Sequence, residues 1–347
     1  MSPGIPRLRP SPLTLNHQFS ILKPLIMEHI ILYAIVPIIV VMLAGYISGK
    51  CGIFNGDDSK KFNKVVLDYA LPAALFVSIV QASREMLAHD LKLSIISLVG
   101  IMFCFMVVYY VFRMFKGNTG ADAAVSALIS GSPTIGFLGF AVLEPIFGTT
   151  PTVALVVAIV GIVVNAVGIP VGLSLMNASL EKQQPGSSKG ESAWKPVLHA
   201  LEQPVAWAPI LAVVWVLVGI PWPAWASPSF DLIKGANASL AVFSAGITLS
   251  SVKVVINWQA ILGSILKMIF MPAVILILGL IFKMDPLNLK MLVVACALPP
   301  AFSGIIIADE YNTYVATGTS SLTLSVILFI GFCPLWIWIT DLCLKAF

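Results

Sequence analysis

The residues best suited to chemistry lie inside two long apolar runs, where proline and glycine interrupt helices that would otherwise cross a membrane. They are Gly131, Ser132, Pro133, Gly136 and Gly139 in one run, and Pro299, Pro300 and Gly304 in the other. Proline removes a backbone donor and clashes with the preceding turn, and glycine tolerates unwound backbone, so both helices should break at mid-membrane. Each break exposes N–H groups at the start of a second half-helix, where the helix dipole adds partial positive charge. The chemistry expected there is the binding of an anion.

The predicted anion site combines backbone N–H groups with a few polar side chains. Its donors are the N–H groups that follow Pro133 and Pro300, with hydroxyls beside them. The predicted substrate-binding residues are Ser132, Pro133, Thr134, Gly136, Pro300, Ser303 and Lys267. Paired broken helices at corresponding places point to the substrate site of a transporter. The alternative is a pair of proline kinks that only shape the helix bundle.

Lys267 lies near the middle of an apolar run, where a charge costs at least about 2.5 kcal/mol and snorkelling is difficult. It therefore needs a partner, and three candidates stay open: a substrate carboxylate, Asp68, or the backbone carbonyls of a broken helix. A structural ion pair is the alternative to a role in transport.

Asp68 is the candidate for ion coupling, because intramembrane carboxylates commonly carry it. The simpler interpretation is a salt bridge with Lys64, one helical turn earlier. Whether a proton, a sodium ion or only the substrate gradient drives transport stays open. Three further polar residues inside apolar runs, Asn165, Asn237 and Thr317, are explained by hydrogen bonds between helices. Glu144 ends its run and is expected to be solvated.

The composition places these residues in a multi-pass membrane protein. Of 347 residues, 59% are hydrophobic and 10% are charged, and the mean hydropathy is +0.97. About 200 hydrophobic positions suffice for about ten spans of roughly 20 residues. The lipid bilayer is thus a partner, whereas the scattered net charge of +4 offers nucleic acid no docking surface. The five cysteines show no metal-binding spacing and are expected to be small buried residues.

The predicted fold is all-α, with ten transmembrane helices arranged as a 5+5 inverted-topology repeat. The ten runs are Ile30 to Ser48, Phe62 to Gln81, Leu93 to Phe112, Gly120 to Phe147, Thr152 to Met176, Pro204 to Ile220, Leu232 to Ser250, Trp258 to Phe282, Leu289 to Ala308 and Tyr314 to Leu342. A polar connector at 181–200 separates the repeats, 27–180 and 201–347. Because five is odd, the second repeat enters from the opposite side, and the broken helices are the fourth of each half.

Residues 1–26 are expected to be a disordered tail, and Met27 could be the physiological start. Lys and Arg in the loops number ten on one side of the membrane and six on the other when the tail is left out. This excess favours an N-terminus outside the cell membrane and a cytoplasmic connector.

An enzyme is not expected, because all four histidines lie in the tail or loops and no HExxH helix occurs. No metal or cofactor is required. A channel has weaker support, since there is no ring-forming filter sequence or arginine-studded sensor helix.

Several short motifs resemble the auxin efflux carrier family, whose bacterial members include malonate and other organic-acid permeases. These motifs are Leu71-Pro-Ala-Ala-Leu-Phe76, Gly136-Phe-Leu-Gly139, Ala297-Leu-Pro-Pro and Ala308-Asp-Glu-Tyr-Asn312. The resemblance implies that helices 4 and 9 cross at Pro133 and Pro300, that the substrate carboxylate is held near this crossing, and that the chain forms a homodimer. Many members have an asparagine near the first glycine of the second motif, where this chain has Thr134-Ile135-Gly136.

The short connector contrasts with the very long one of many plant auxin carriers in the family, so a bacterial-type carrier of small organic anions is expected. The resemblance alone implies malonate or a related dicarboxylate as the first substrate. A dianion would gain from a fixed cation such as Lys267, so we expect Lys267→Ala to lose dicarboxylate transport while folding normally. A monocarboxylate or auxin-like carboxylate carrier is the alternative, as is a non-transporting sensor or channel on the same scaffold. The mechanism implied is alternating access around the crossing.

Overall fold

A computed structural model describes residues 36–80, 91–183, 204–251, 255, 257–311 and 313–346. Within these ranges the chain forms helices joined by short turns and no β-strand, so the predicted all-α class is confirmed. The α-helices are α1 Val36–Lys50, α2 Gly56–Val65, α3 Leu71–Val80, α4 Leu91–Arg113, α5 Gly120–Ser130, α6 Ile135–Phe147, α7 Pro151–Ile162, α8 Ile169–Gln183, α9 Pro204–Val218, α10 Ser227–Ser251, α11 Trp258–Ile265, α12 Met271–Ile281, α13 Pro286–Ala297, α14 Phe302–Glu310 and α15 Val315–Ala346.

Five helices in the described ranges are long and apolar enough to cross a membrane. They are Leu91–Arg113, Pro151–Leu180, Ser227–Ser251, Trp258–Ile281 and Val315–Ala346. Shorter apolar helices, including α1, α5 and α13, lie beside them. These helices agree with a multi-pass membrane protein, while the number of ten spans stays a prediction. The predicted tail and alternative start Met27, and nearly all of the connector, lie outside the described residues.

In the part of the chain that the structure describes, three π-helical segments interrupt the long helices, and each precedes a proline. They are π1 Val66–Ala70, π2 Val163–Gly168 and π3 Leu266–Phe270, and the second residue after each is Pro72, Pro170 and Pro272. Proline cannot donate to the carbonyl four residues back and its ring crowds that carbonyl, so a local widening of the turn relieves the clash. Leu71, the residue before Pro72, accordingly donates its N–H five residues back, to the carbonyl of Val66.

The helices pack as two groups. One group comprises α1, α2, α3, α9 and α10, in which α1 packs along α10 and α9 packs along α3. The other contains α4 to α8 and α11 to α15, with α5 and α13 packed among their neighbours. The groups meet where α10 contacts α6 and where α3 contacts α7.

Close approach of α1 and α10 depends on small residues. A Cβ added at Gly45 would overlap the backbone of Phe243, and one added at Gly246 would overlap the backbone of Met42. Small residues at helix interfaces allow this approach, which stabilises pairs of membrane helices through van der Waals contact. The first packing group therefore contains a tight helix–helix contact between α1 and α10.

Both broken helices begin at a defined cap. Thr119 accepts from the N–H of Asp122 at 3.1 Å, while the Asp122 carboxylate accepts from the N–H of Thr119 at 2.7 Å, which is a capping box for α5. Asp285 accepts from the N–H of Leu287 and Asn288 at the start of α13. Each cap satisfies N–H groups that the first turn leaves free and fixes where its helix starts.

Candidate functional site

The two predicted breaks are present, and they touch each other. α5 ends at Ser130 and α6 begins at Ile135, while α13 ends at Ala297 and α14 begins at Phe302. Between them, Pro133 and Pro300 form a single antiparallel β-bridge. The broken helices therefore meet at the two prolines that the sequence singles out.

The bridge is made by two hydrogen bonds that are equivalent in the two breaks. Thr134 donates its N–H to the carbonyl of Pro299 at 3.0 Å, and Ala301 donates its N–H to the carbonyl of Ser132 at 3.0 Å. In both bonds, the donor is the residue after the proline of one break and the acceptor is the residue before the proline of the other break. These bonds replace contacts that the interrupted helices cannot make, since buried backbone groups away from water require partners.

A pocket lies beside the crossing, at the N-terminal ends of α6 and α14. It has about 300 Å³ of empty space, a volume that includes open solvent at its mouth. Its lining residues are Leu67, Leu71, Pro133, Thr134, Ile135, Gly136, Val164, Asn165, Ala301, Phe302 and Ser303. The first turns of α6 and α14 both lie at this pocket. N–H groups in the first turn of a helix have no acceptor within their own helix. Two helix dipoles thus place partial positive charge at one small, mainly apolar cavity.

Thr134 gives the pocket an unused hydrogen-bonding group. Its side chain is 2% exposed, and its Oγ1 atom has no hydrogen-bond partner among the described residues. A buried hydroxyl without a partner is uncommon because burial without a hydrogen bond costs free energy. A ligand that accepts a hydrogen bond from Oγ1 would remove this cost.

Of the predicted substrate-binding residues, the pocket brings together Pro133, Thr134, Gly136 and Ser303. Ser132 and Pro300 lie at the crossing itself, where the carbonyl of Ser132 accepts from Ala301 and Pro300 forms the bridge. Gly136 has a packing reason to lack a side chain, because an added Cβ would lie 2.8 Å from Cδ2 of Leu71. Lys267 is absent from the lining.

Lys267 is fully buried in π3 and contacts a broken helix. Its Nζ donates to the carbonyl oxygen of Cys296 at 2.5 Å and lies 3.2 Å from Sδ of Met271. Of the three partners open at the outset, the structure contains the backbone carbonyl, near the C-terminal end of α13. A cation at that end of a helix interacts favourably with the dipole.

Lys267 also makes the two breaks unequal. Ile129 and Cys296 each lie four residues before their proline, in α5 and α13 respectively. The carbonyl of Ile129 accepts a backbone N–H, from Ala301 at 3.2 Å, whereas the carbonyl of Cys296 accepts the Lys267 ammonium. One side of the crossing therefore carries a fixed positive charge where the other has a neutral donor.

Asp68 lies in π1, half-buried, next to the pocket residue Leu67. It makes no ion pair or hydrogen bond with any residue that the structure describes, and the interpretation of a local Lys64–Asp68 salt bridge is wrong. The reason is the π1 segment: residues five apart stack there, so the four-residue spacing no longer aligns the two side chains.

Asn165 is a pocket residue that the sequence analysis assigned to packing. Its Nδ2 donates within its own helix, to the carbonyl of Gly161 at 2.9 Å, rather than to another helix. The amide oxygen of Asn165 takes no part in this bond, and the Asn165 side chain lines the pocket. The sequence held one signal for this role, an asparagine shortly before Gly168 and Pro170. In the structure it lies in π2, and π-helical segments often mark functional sites.

Two other polar residues have specific partners. Thr317 accepts from Asn257 at 2.9 Å, so its predicted hydrogen bond between helices is confirmed. Glu144, expected to be solvated, is instead 3.5 Å from the Nζ of Lys234, and the two residues join α6 to α10. That pair spans the two packing groups. The Lys234 ammonium also lies over the Phe140 ring, 5.3 Å from its centre.

The fold and the crossing define a class: a multi-pass helical membrane transporter with broken helices that meet at a pocket. Comparison with known proteins agrees with this class. The family described as "Membrane transport protein" matches residues 30–337. The chain therefore belongs to this family, the auxin efflux carrier family that its motifs resemble, and it is a transporter rather than an enzyme.

Among individual relatives, the uncharacterized transporter YfdV of Escherichia coli (strain K12) is 48% identical over 308 residues, covering 89% of this chain and 97% of the relative. A "Putative malonate transporter" of Rhizobium meliloti is 22% identical over 305 residues, covering 85% and 91%. A "Probable auxin efflux carrier component 9" of Oryza sativa is 26% identical over 155 residues, covering 43% and 36%.

Proposed function

We propose that this transporter is a secondary carrier of small organic anions, with malonate or a related dicarboxylate as the first candidate. The observation that carries the proposal is the pocket at the crossing, where two helix N-termini and the unpartnered Thr134 hydroxyl meet. N-terminal helix ends bind carboxylates through first-turn N–H groups and the dipole. A carboxylate bound there would accept from both half-helices and from Oγ1 of Thr134.

The pocket walls favour a small substrate. Leu67, Leu71 and Phe302 make them mainly apolar, which suits the carbon skeleton between or beside carboxylates. The relative named for malonate supports a dicarboxylate, and the chain aligns with nearly its full length. The relative named for auxin matches less than half of this chain and supports an aromatic monocarboxylate less strongly.

The 5+5 inverted repeat forms part of the proposal, and the pairwise equivalence of helix contacts supports it. α1 packs on α10 as α9 packs on α3, α4 packs on α5 as α12 packs on α13, and α8 packs on α5 as α15 packs on α13. The two equivalent hydrogen bonds of the crossing fit the same symmetry. In such repeats the substrate binds at mid-membrane, between the two halves.

Transport would occur by alternating access. The group containing α5, α6, α13 and α14 carries the crossing, and the group containing α1, α2, α3, α9 and α10 packs against it. Movement between the groups would expose the pocket to one side and then the other. The proposed setting is the cell membrane, with the N-terminus outside and the 181–200 connector cytoplasmic. Two copies would pair through the first packing group.

Lys267 would act on the substrate through α13 rather than by direct contact. Its ammonium neutralises the carbonyl end of α13 at Cys296, and the chain then turns at Pro300 into the N-terminus of α14 that faces the pocket. A fixed positive charge inside a low-dielectric protein also attracts an anion over distance. Asp68, without a partner in the described chain, is the proposed site of proton or sodium coupling.

Uptake of radiolabelled malonate into proteoliposomes tests this function. We expect saturable uptake that rises with one imposed gradient, of protons or of sodium, and falls when excess unlabelled malate competes. Protein that is folded and monodisperse but takes up neither malonate, malate nor lactate would contradict the organic-anion assignment. An ionophore that collapses each gradient provides the control for the coupling ion.

A further inference from the structure

Asn237 in α10 is a buried amide with no hydrogen-bond partner. The residue is 1% exposed, and neither its Nδ2 nor its Oδ1 has a partner among the described residues. An asparagine amide offers two donors and one acceptor oxygen, and leaving all of them unpaired is costly. The sequence interpretation of Asn237 as a hydrogen bond between helices is therefore not met by this structure.

The contacts of α10 with α2 show the level at which Asn237 lies. Ser244 of α10 donates to Oδ1 of Asn63 at 2.7 Å, and Thr248 contacts Ser59 at 2.5 Å. In these two contacts the residue number in α10 falls as the residue number in α2 rises, so the two helices run antiparallel. Asn237 lies seven residues before Ser244, so it is on the same face and about 10 Å further along. This places Asn237 at the level of π1, whose Leu67 lines the pocket.

The helix α10 also packs against α6. Lys234, one turn before Asn237, lies 3.5 Å from Glu144 and over the ring of Phe140. The start of α6 carries Gly136, which lines the pocket. Both π1 and α6 pack against α10, and each contributes a residue to the pocket lining, although Asn237 itself is not a lining residue.

We propose that Asn237 is a specificity residue that binds the second carboxylate of a dicarboxylate substrate. This inference rests on the proposed function. The first carboxylate would occupy the helix N-termini at the crossing, and the Nδ2 of Asn237 would donate to the second one across the boundary between the packing groups. The unpaired amide is then explained, because the substrate supplies its hydrogen-bond partner.

A second carboxylate held from α10 would also give the substrate contacts with both packing groups. A monocarboxylate would contact the crossing and leave the amide of Asn237 unpaired. Sites that contain a buried polar group discriminate strongly against analogues that lack its partner. Asn237 would therefore make the carrier prefer dicarboxylates over monocarboxylates of equal length.

The test compares malonate with propionate, which have the same number of carbons but two carboxylates and one. Uptake kinetics of both labelled acids are measured in proteoliposomes for the wild type, Asn237→Leu and Asn237→Ala, with thermal midpoints for each purified protein. We expect both variants to raise the KM for malonate about tenfold or more and to leave the KM for propionate nearly unchanged. Thermal midpoints should not fall, because an unpaired buried amide has been removed.

Ser325→Ala is the matched control. Ser325 in α15 is also fully buried with an unpartnered hydroxyl, but α15 packs on α11, α13 and α14 within the second packing group rather than at the boundary between the groups. It should keep both thermal stability and the preference for malonate.

Two outcomes would overturn this inference. One is an unchanged ratio of malonate to propionate KM in both Asn237 variants. The other is a lowered thermal midpoint in both variants with equal losses for the two acids, which is the behaviour of a structural residue. Failure of the wild type to transport either acid would instead overturn the proposed function itself, and the two failures are distinguished because that one is seen without any substitution.

Discussion

At the residue scale, a few buried polar groups without ordinary partners carry the functional argument. Thr134 and Asn237 are buried and unpaired, and Lys267 is a buried cation whose acceptor is a backbone carbonyl. Each is costly for a folded protein. Substitutions that remove such groups should separate stability from transport, because the unpaired groups lower the stability of the fold and gain their partners from the substrate.

Thr134→Val removes the unpartnered hydroxyl and keeps the shape of the side chain. We expect the thermal midpoint to stay constant or rise, and the KM for malonate to increase about fivefold to tenfold through the loss of one hydrogen bond. Thr323→Val is the control, because the Thr323 hydroxyl donates to the carbonyl of Thr319 within α15. Equal malonate kinetics in the two variants would argue against a carboxylate at Thr134.

Lys267→Met replaces the ammonium with an apolar side chain of similar length. We expect folding with an undiminished thermal midpoint, because removing an ion from a buried site offsets the loss of its hydrogen bond to Cys296. Malonate uptake should fall at least about tenfold, since the positive charge at the end of α13 is lost. The alanine variant considered from sequence is a less direct test, because it also leaves a cavity. Unchanged uptake in Lys267→Met would show that this charge has no role in transport.

At the element scale, the crossing depends on close backbone contact between α14 and α5. A Cβ at Gly304 would lie 2.8 Å from the backbone N of Ile129 and 2.8 Å from the carbonyl carbon of Leu128. The breaks themselves were predictable, because proline and glycine act on local backbone geometry. The π-segments were not predicted from Pro72, Pro170 and Pro272, since a proline in a membrane helix also permits a kink.

Gly304→Ala should destabilise the protein by about 1–3 kcal/mol through overpacking and should abolish most malonate uptake. Gly331→Ala is the matched control, because nothing lies within 4 Å of a Cβ at that position in α15. It should be neutral or slightly stabilising, by at most about 1 kcal/mol. Thermal unfolding and uptake of both variants check the pair. If Gly304→Ala changed neither thermal unfolding nor malonate uptake, the two broken helices would not be held in close contact.

At the scale of the whole molecule, the account requires motion between the two packing groups. Sequence alone indicated the membrane class and the two broken helices, because hydropathy and proline content are local properties. It could not show that Asn165 lines the pocket or that Glu144 pairs with Lys234, since these contacts join residues distant in the chain and depend on packing. The 5+5 repeat and the ten spans also stay predictions, because they depend on how distant segments are arranged in the membrane.

Cross-linking tests the motion between groups. Glu144→Cys with Lys234→Cys, in a background without native cysteines, places one thiol in each group, because these two side chains form the ion pair between α6 and α10. A short bifunctional thiol reagent should block malonate uptake. Ser59→Cys with Thr248→Cys is the control, since these residues touch within one group at 2.5 Å and their cross-link should leave uptake intact. Full uptake after cross-linking of the first pair would exclude movement between α6 and α10.

The central claim, that this protein is a carrier of organic anions with a site at the crossing, is tested most directly by malonate counterflow. Proteoliposomes containing the wild type or Thr134→Val are preloaded with unlabelled malonate and diluted into a trace of labelled malonate. The account predicts transient accumulation of label above equilibrium for the wild type, and for Thr134→Val a response that needs several-fold more preloaded malonate. Equilibration without overshoot would indicate a channel, and no malonate entry by folded protein would contradict the account altogether.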